Sequence, residues 1–441
     1  MNDTIVAQAT PPGRGAVSIV RLSGPQAVAI AECLVGHLPP PRHAALRKFV
    51  DAQGTTIDSG IVIHYPAPHS YTGEEIVELQ GHGGHVAPAL VLKAARAAGA
   101  RSAEPGEFSR RACLNDRMDL AQAEAVADLI DATTETAAQA AQRSLSGVFS
   151  QKVEALEQAL VEIRVRVEGA LDFSDEDAQW FDSPLQAAMT RAEENLSSLL
   201  KAGTRGRRLT EGFVAAIAGQ PNVGKSTLLN YLSGEQAAIV TDVPGTTRDV
   251  LRESIDLDGL PLTLIDTAGL RDSVDPIERE GVARARAVFA RCELIIYLVD
   301  ARAGLGREDA LLLASLPEAV PRLIVFNKLD LLDKKTPDAD DAIPISAATG
   351  AGVEELIGAI REHAGLSDTA GAFSMRSRHL EALKTTREHL ANARASLDHH
   401  HDTELAAEEL RMAQQALGEI CGNFGSEELL GRIFAGFCIG K

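Results

Sequence analysis

Apolar and polar positions change rhythm in blocks along this chain of 441 residues. In residues 1–118, short β-branched runs at 16–20 and 61–63 stand between turn signals at Pro11-Pro12-Gly13, Gly24-Pro25, Pro39-Pro40-Pro41 and Gly81-His82-Gly83-Gly84. That pattern predicts a mixed α+β domain with a helix near 87–98. From Leu120 to about residue 202 Gly and Pro become sparse, and apolar residues recur at three- and four-residue spacing, as in Leu156, Leu160, Ile163 and Val167. Two long helices are predicted there, separated by an acidic break near 172–184 that carries Trp180. Residues 211–364 alternate strand-like and helix-like segments, the pattern of a parallel α/β sheet. Its strands are predicted at 213–218, 262–265, 294–299, 323–326 and 342–345, with Asp258-Gly259 as a turn between two strands. Helical character returns after Phe373 and runs to about Ile420. The simplest packing closes the two helical stretches, 119–210 and 367–441, on each other as one discontinuous domain, with the α/β unit 211–366 inserted.

Composition narrows the class. Hydrophobic residues at 45% and charged residues at 24% suit a soluble protein with real cores, which excludes a disordered chain or a fibre. No apolar run approaches the roughly 20 residues that cross a bilayer, and Met1-Asn2-Asp3-Thr4 has no basic segment leading into an apolar one. The expectation is a cytoplasmic protein with no membrane partner. Cys33, Cys113, Cys292, Cys421 and Cys438 are scattered without a CxxC pair and read as reduced thiols. The balance of 43 basic against 62 acidic residues, 43 − 62 = −19, argues against nonspecific nucleic-acid binding through a broad basic surface. It leaves room for a local basic patch; Arg205-Gly206-Arg207-Arg208 is a candidate phosphate contact, although a solvated linker is the simpler reading.

The segment Gly219-Gln220-Pro221-Asn222-Val223-Gly224-Lys225-Ser226 fits G-x-x-x-x-G-K-[ST] between a predicted strand and a helix expected at 227–232. Its glycines let backbone N–H groups curl around phosphate oxygens at a helix N-terminus. Lys225 would reach the β- and γ-phosphates, and the Ser226 hydroxyl would ligate Mg²⁺. Asp266-Thr267-Ala268-Gly269 follows a strand, placing Asp266 in the magnesium shell and the Gly269 N–H toward the γ-phosphate. Asn327-Lys328-Leu329-Asp330 offers a carboxylate that accepts both the ring N–H and the exocyclic amine of guanine, and Ser346-Ala347-Ala348 offers an N–H to its O6. These elements, in this order, are those of a Ras-like GTPase. The stretch Thr241-Asp242-Val243-Pro244-Gly245-Thr246-Thr247 resembles a first switch, with Thr247 as a second hydroxyl on Mg²⁺. Leu270 stands where many GTPases place a water-positioning Gln, so Glu278 or Glu280 is the nearest acidic candidate for that task. No segment announces an arginine finger.

With Asn222 in the P-loop, Gly245-Thr246-Thr247-Arg248-Asp249, the Leu114-Asn115-Asp116-Arg117-Met118-Asp119-Leu120 junction and the final Cys438-Ile439-Gly440-Lys441, the chain resembles the MnmE (TrmE) family of tRNA modification GTPases, within the TrmE-Era-EngA-like GTPases. The likeness runs from Ala7 to Lys441. It implies a multidomain protein: an N-terminal α+β domain like the tetrahydrofolate-binding fold of aminomethyltransferases, an α-helical domain, and an inserted α/β P-loop GTPase domain. It also implies a homodimer that works with the flavoprotein MnmG in a heterotetramer. Together they would place an aminomethyl or carboxymethylaminomethyl group at C5 of the wobble uridine of certain tRNAs. The carbon would come from 5,10-methylenetetrahydrofolate, for which 5-formyltetrahydrofolate is an analogue, and FAD would sit on the partner only.

The resemblance further implies K⁺ held by Asn222 and by the carbonyls of Thr241, Val243 and Thr246, with Glu278 orienting the attacking water. Thr227, Asp242, Pro244, Thr267 and Ala268 fall within the matched nucleotide-binding segments. Arg21, Glu78, Arg117 and Lys441 match folate contacts, and Cys438 matches a tail cysteine suspected of catalysis. Arg117 departs from the lysine common at that position, which keeps the charge but changes the geometry toward a carboxylate. The competing reading is a GTP-switched ribosome-assembly or RNA-binding factor. Such a factor predicts a basic appendage, and none is evident in a chain of net charge −19.

Overall fold

The computed structural model describes residues 3–172, 183–235, 252–266, 289, 291–332, 342–366, 371–400, 402–422 and 427–440. In chain order the N-terminal elements are β1 (Ile5–Gln8), β2 (Val17–Ser23), α1 (Ala27–Val35), β3 (Ala45–Val50), β4 (Thr56–Tyr65), β5 (Ile76–His82), α2 (Ala87–Ala97), β6 (Arg101–Ser102) and α3 (Glu107–Leu114). Helices α4 (Leu120–Asp131), α5 (Glu135–Leu145), α6 (Val148–Asp172) and α7 (Ser183–Glu211) follow. The α/β segment comprises β7 (Phe213–Gly219), α8 (Lys225–Glu235), β8 (Arg252–Leu257), β9 (Leu260–Asp266), β10 (Leu294–Asp300), α9 (Arg307–Ser315), β11 (Arg322–Asn327), β12 (Ala342–Pro344) and α10 (Val353–His363). Helices α11 (Ser377–Ala395), α12 (Thr403–Cys421) and α13 (Glu427–Phe434) complete the chain. Two compact units emerge, Met1–Ala127 with Gln414–Lys441, and Asp128–Ala413.

In the first unit six strands run in the order β3-β4-β5-β2-β1-β6, antiparallel except for the β1–β6 pair. Helices α1 and α2 pack on the sheet through Ile30, Leu34 and Val91, which meet Val20, Leu22, Val77 and Leu79 in one core. Alternation along β2 buries Ser18, Val20 and Leu22 while Val17 is exposed, as a half-covered strand requires. The expected helix near 87–98 is α2; α1 and α3 are additions. Helix α1 buries Ala27, Ile30, Ala31, Leu34 and Val35, a helical stripe in a run so apolar that periodicity alone cannot separate helix from strand. The C-terminal segment belongs to the same unit: Phe434 and Phe437 pack with Leu120 and Ala123, and Ile439 forms a β-bridge with Pro105.

In the second unit the predicted stripe of Leu156, Leu160, Ile163 and Val167 is buried throughout. The two long helices around the break are α6 and α7, but the shorter α4 and α5 come before them. Helix α7 also continues to Glu211, so Arg205-Gly206-Arg207-Arg208 lies within its last two turns and is not a solvated linker. The reason is packing. A Cβ on Gly206 would lie 2.3 Å from the Phe373 carbonyl, Arg207 Nη2 meets Glu293 Oε1 at 2.5 Å, and the Arg208 guanidinium lies 5.2 Å from the Phe213 ring centroid. Glu211 accepts the Ser377 N–H at 2.7 Å and its hydroxyl at 2.6 Å. The chain therefore enters and leaves the α/β segment at neighbouring points, and the segment is an insertion between helices.

That segment folds as a sheet ordered β12-β11-β10-β7-β9-β8, parallel except where β8 runs against β9. Strand β10 is apolar and buried from Leu294 to Val299, as expected of a parallel strand covered on both faces. Asp258 and Gly259, with φ of 49° and 86°, form the hairpin turn anticipated at that dipeptide. Among the described residues no helix is long and apolar enough to cross a membrane.

Candidate functional site

Strand β7 has β9 and β8 on one side and β10, β11 and β12 on the other, so its C-terminal end is a topological switch point, the place where open α/β sheets bind ligands. The loop at that end is shaped by close backbone approach. Gly219 has φ 143°, and a Cβ there would lie 2.3 Å from the Leu298 carbonyl; Gly224 has φ 100°, and its Cβ would lie 2.3 Å from Asn327 Nδ2. Asn222 adopts the left-handed conformation at φ 63°, and Val223 is buried beneath the loop. The Leu228 N–H closes on the Gly224 carbonyl at 3.0 Å, which leaves the preceding N–H groups, at the start of α8, outside the helical ladder. Those donors and the helix dipole favour an anion. Lys225 Nζ lies over the loop, 3.1 Å from the Gly219 carbonyl and 2.8 Å from that of Gln220. Ser226 and Thr227 are exposed in the first turn of α8.

A second group of residues is tied to this loop. Buried Asn327 donates from Nδ2 to the Val223 carbonyl at 2.8 Å and accepts the Ala347 N–H at Oδ1, 2.9 Å away. Lys328 Nζ donates to the Asn222 carbonyl and to Asp300 Oδ2, the latter at 2.9 Å. The buried Ser346 hydroxyl donates to Asp330 Oδ1 at 2.5 Å, orienting a carboxylate that is itself exposed, and Ala348 is exposed beside them. The structure therefore brings together Asn222, Val223, Gly224, Lys225, Ser226, Thr227, Asn327, Lys328, Asp330, Ser346, Ala347 and Ala348. Asp300 belongs to no sequence motif. The available signal was a carboxylate at the C-terminal end of a parallel strand, one residue past the predicted end. Hydrogen bonds from Arg302, with Lys328 beside it, hold the Asp300 carboxyl well below the usual carboxylate range.

The backbone of Asp266 ends β9, paired through Ile217. Thr241, Asp242, Val243, Pro244, Gly245, Thr246, Thr247, Thr267, Ala268, Gly269, Glu278 and Lys441 lie outside the described residues, as does the side chain of Asp266. The metal donors that can be placed are consistent with hard cations: Ser226 offers a hydroxyl at an exposed helix start, and Asn222 an amide oxygen on a left-handed loop residue. Among the described residues no group of three or more His, Cys, Asp or Glu could hold a metal ion.

In the first unit Arg21 and Glu78 are register partners on β2 and β5. Arg21 Nη2 meets Glu78 Oε1 at 2.9 Å, and Gln80 Nε2 donates to Glu78 Oε2 at 3.2 Å. The Arg21 guanidinium also lies 5.5 Å from the Tyr71 ring centroid, and the Tyr71 hydroxyl pairs with Ser109 Oγ at 2.8 Å. Exposed Arg117 lays its stem beside Gly73, two residues from Tyr71. Cys438 is exposed, and its carbonyl takes the Gly106 N–H at 3.4 Å. A half-buried cation and a buried carboxylate on one sheet, with an aromatic ring from the loop between β4 and β5 beside them, can recognise a flat, hydrogen-bonding heterocycle bearing a carboxylate.

Known proteins match at both levels. The model of the MnmE helical domain matches residues 120–438, and that of the GTP-binding protein TrmE N-terminus matches residues 4–117. The chain is 49% identical over 452 residues to the tRNA modification GTPase MnmE of Nitrosomonas europaea and 50% identical over 452 residues to that of Methylococcus capsulatus, in each case covering 100% of this chain and 99% of the relative. It is 48% identical over 450 residues to the protein of the same description from Pectobacterium carotovorum, again over 100% and 99%.

Proposed function

This chain belongs to the MnmE family of tRNA modification GTPases, and on that premise we propose that it couples GTP hydrolysis to folate-dependent modification of the wobble uridine of certain tRNAs. The family assignment displaces the competing reading of a ribosome-assembly factor. In the proposed division of labour, residues 1–118 bind folate and dimerise, residues 119–210 and 367–441 form the helical domain, and residues 211–366 hydrolyse GTP. The flavoprotein MnmG would supply FAD and complete a heterotetramer with the homodimer, in the cytoplasm.

The observation that carries the GTP reading is the pair of ties from the Asn327–Asp330 loop to the P-loop carbonyls of Val223 and Asn222. They hold a carboxylate suited to guanine at a fixed distance from a loop suited to phosphates. Lys225 and the N–H groups at the start of α8 would bear on the β- and γ-phosphates, Ser226 and Thr247 would hold Mg²⁺, and Glu278 would orient water. Asn222 with the carbonyls of Thr241, Val243 and Thr246 would hold K⁺. Bound there, the two ions would supply positive charge to a transition state that spreads negative charge over phosphate oxygens. Arg21, Glu78, Arg117 and Lys441 would hold the folate, with Cys438 beside it.

The deciding experiment is nucleoside analysis of tRNA from a strain lacking this gene, with and without the gene restored. Loss of C5-modified wobble uridine, recovered by the wild-type chain and not by Lys225→Ala, is expected. Unaltered wobble uridine in the deletion strain would remove the proposed reaction.

A further inference from the structure

Asp300 ends β10 beside Asn327 at the end of β11, its register partner. Its carboxylate is largely enclosed, with the side chain 16% exposed. It accepts Lys328 Nζ at 2.9 Å, Arg302 Nη2 at 2.6 Å, and the Arg302 Nε and N–H at 3.0 Å each. Lys328 occupies the left-handed conformation at φ 71°, and its ammonium makes a second bond to the carbonyl of Asn222, itself left-handed at φ 63°. One nitrogen therefore spans a strand-end carboxylate and the phosphate loop.

A lysine brings three rotatable donors on a flexible stem, so a backbone carbonyl alone fixes it poorly. A carboxylate held by an arginine fork gives that ammonium a defined place. The neighbouring tie, Asn327 Nδ2 to the Val223 carbonyl, is buried and needs no such support. The Lys328 tie is more exposed, with 23% of its side chain accessible, and depends on its acceptors.

We propose that Asp300 is a positioning residue for guanine-nucleotide binding: through Lys328 it clamps the base-reading loop at 327–330 onto the P-loop at Asn222. This rests on the GTP reading above. Asp300 need not touch the nucleotide. It sets the spacing between the part of the site that reads the base and the part that cradles phosphate, and that spacing must be right for one ligand to engage both.

The test uses the full-length protein and four variants: Asp300→Ala, Asp300→Asn, Lys328→Met, and Asp300→Ala combined with Lys328→Met. GDP affinity is measured with a fluorescent analogue, KM and kcat with GTP, and melting without nucleotide. Loss of a charged hydrogen bond predicts GDP binding weaker by about 10- to 100-fold in Asp300→Ala. The loss should fall on KM more than on kcat. Asp300→Asn, which keeps an acceptor oxygen, should lose less. In the Lys328→Met background, Asp300→Ala should add less than about twofold, because the interaction is already gone. Wild-type affinity in Asp300→Ala, or its full loss retained without the lysine, overturns the proposal while leaving the GTP reading intact. Should Asp300→Ala prove unfolded, Asp300→Asn alone and with Lys328→Met decides by the same additivity criterion. A wild-type chain that binds no guanine nucleotide overturns both.

Discussion

The Thr134 hydroxyl joins a helix start to a hairpin turn: it accepts the Ala137 N–H at 3.1 Å and donates to the Gly259 carbonyl at 3.1 Å. The first bond caps α5, and the second seats the β8–β9 turn on that cap. Gly259 permits the approach because any Cβ there would lie 2.3 Å from Thr136 Oγ1. Replacing Thr134 with Val keeps the shape but removes both bonds, for an expected loss of about 1–3 kcal/mol. Thr134→Ser should stay close to wild type. Amide hydrogen exchange checks the locality: faster exchange at 137–138 and 257–260 in the valine variant is expected, and unchanged protection at both would show that other contacts hold the turn.

Asp330→Asn should weaken GTP binding and improve binding of xanthosine triphosphate. The carboxylate accepts from Ser346 Oγ at 2.5 Å, so its plane is set by a buried hydroxyl. An amide in the same place cannot accept both donors of guanine but can donate to the 2-oxo group of xanthine. Sites built on such bonds discriminate by up to about 10⁴–10⁵. Competition binding with the two nucleotides measures the reversal, and unchanged preference for GTP would remove Asp330 from the base.

The phosphate loop and Asn327–Asp330 were legible because each is a contiguous motif whose glycines, lysine or carboxylate must sit at fixed offsets. Asp300 was not: its partner Lys328 lies on the next strand end, and the contact exists only once β10 and β11 are in register. The end of α7 departs from its local signal for the opposite reason. Gly203 and Gly206 lower helix propensity and suggest a linker, yet a Cβ at either would come within 2.3 Å of Met375 Sδ or the Phe373 carbonyl. Packing against the returning chain, invisible locally, overrides the local signal. The Arg21–Glu78 pair had no sequence signal beyond family likeness, since only strand pairing sets the two residues opposite each other.

Acid should loosen the first unit through one network centred on buried Arg111 and Glu107. Arg111, 1% exposed, meets Asp3 Oδ1 at 2.7 Å, Glu107 Oε1 at 3.0 Å and Glu74 Oε2 at 3.1 Å, while Arg101 Nη2 meets Glu107 at 2.6 Å. Burial pushes the Glu107 carboxyl up, but bonds from Arg101, the Glu104 N–H and Arg111 outweigh it and leave it below its ordinary value. Arg101 draws Asp3 down against its own burial. Both carboxyls titrate lower when folded, so their stabilisation is complete above roughly pH 5 and is lost as pH falls through the depressed folded values. Glu107→Gln should cost about 1–3 kcal/mol, because Arg111 keeps Asp3 and Glu74 while it and Arg101 each lose a charged acceptor, and should flatten the acid limb of the stability profile. Chemical denaturation between pH 3 and pH 7 measures it, and an acid limb identical in variant and wild type would assign the acid sensitivity elsewhere.

Gly106 should govern where the C-terminal tail lies. It is left-handed at φ 63°, and a Cβ there would stand 2.8 Å from the Phe434 carbonyl oxygen and 2.9 Å from Phe437 Cβ. Its N–H reaches the Cys438 carbonyl, Pro105 bridges Ile439, and a Cβ on Gly440 would meet the Gln8 carbonyl at 2.3 Å. Residues 434–439 are thus laid against Pro105 and Gly106, and Gly440 reaches the end of β1, whose Ala7 is the register partner of Arg21. An alanine at 106 adds backbone strain to a clash with main chain, and neither is relieved by a rotamer change, so the tail must lift. Limited proteolysis should then cut Gly106→Ala after residue 430 faster than wild type, and calorimetry with 5-formyltetrahydrofolate should show weaker binding if the tail completes that pocket. Gly36→Ala is the control: that glycine also has positive φ, but nothing lies within 4 Å of an added Cβ, so it strains backbone without touching the tail. Equal tail cleavage in wild type and Gly106→Ala would mean that the aromatic contacts of Phe434 and Phe437 hold the segment without Gly106. Faster cleavage with undiminished folate affinity would instead separate the tail's packing from any part in the pocket.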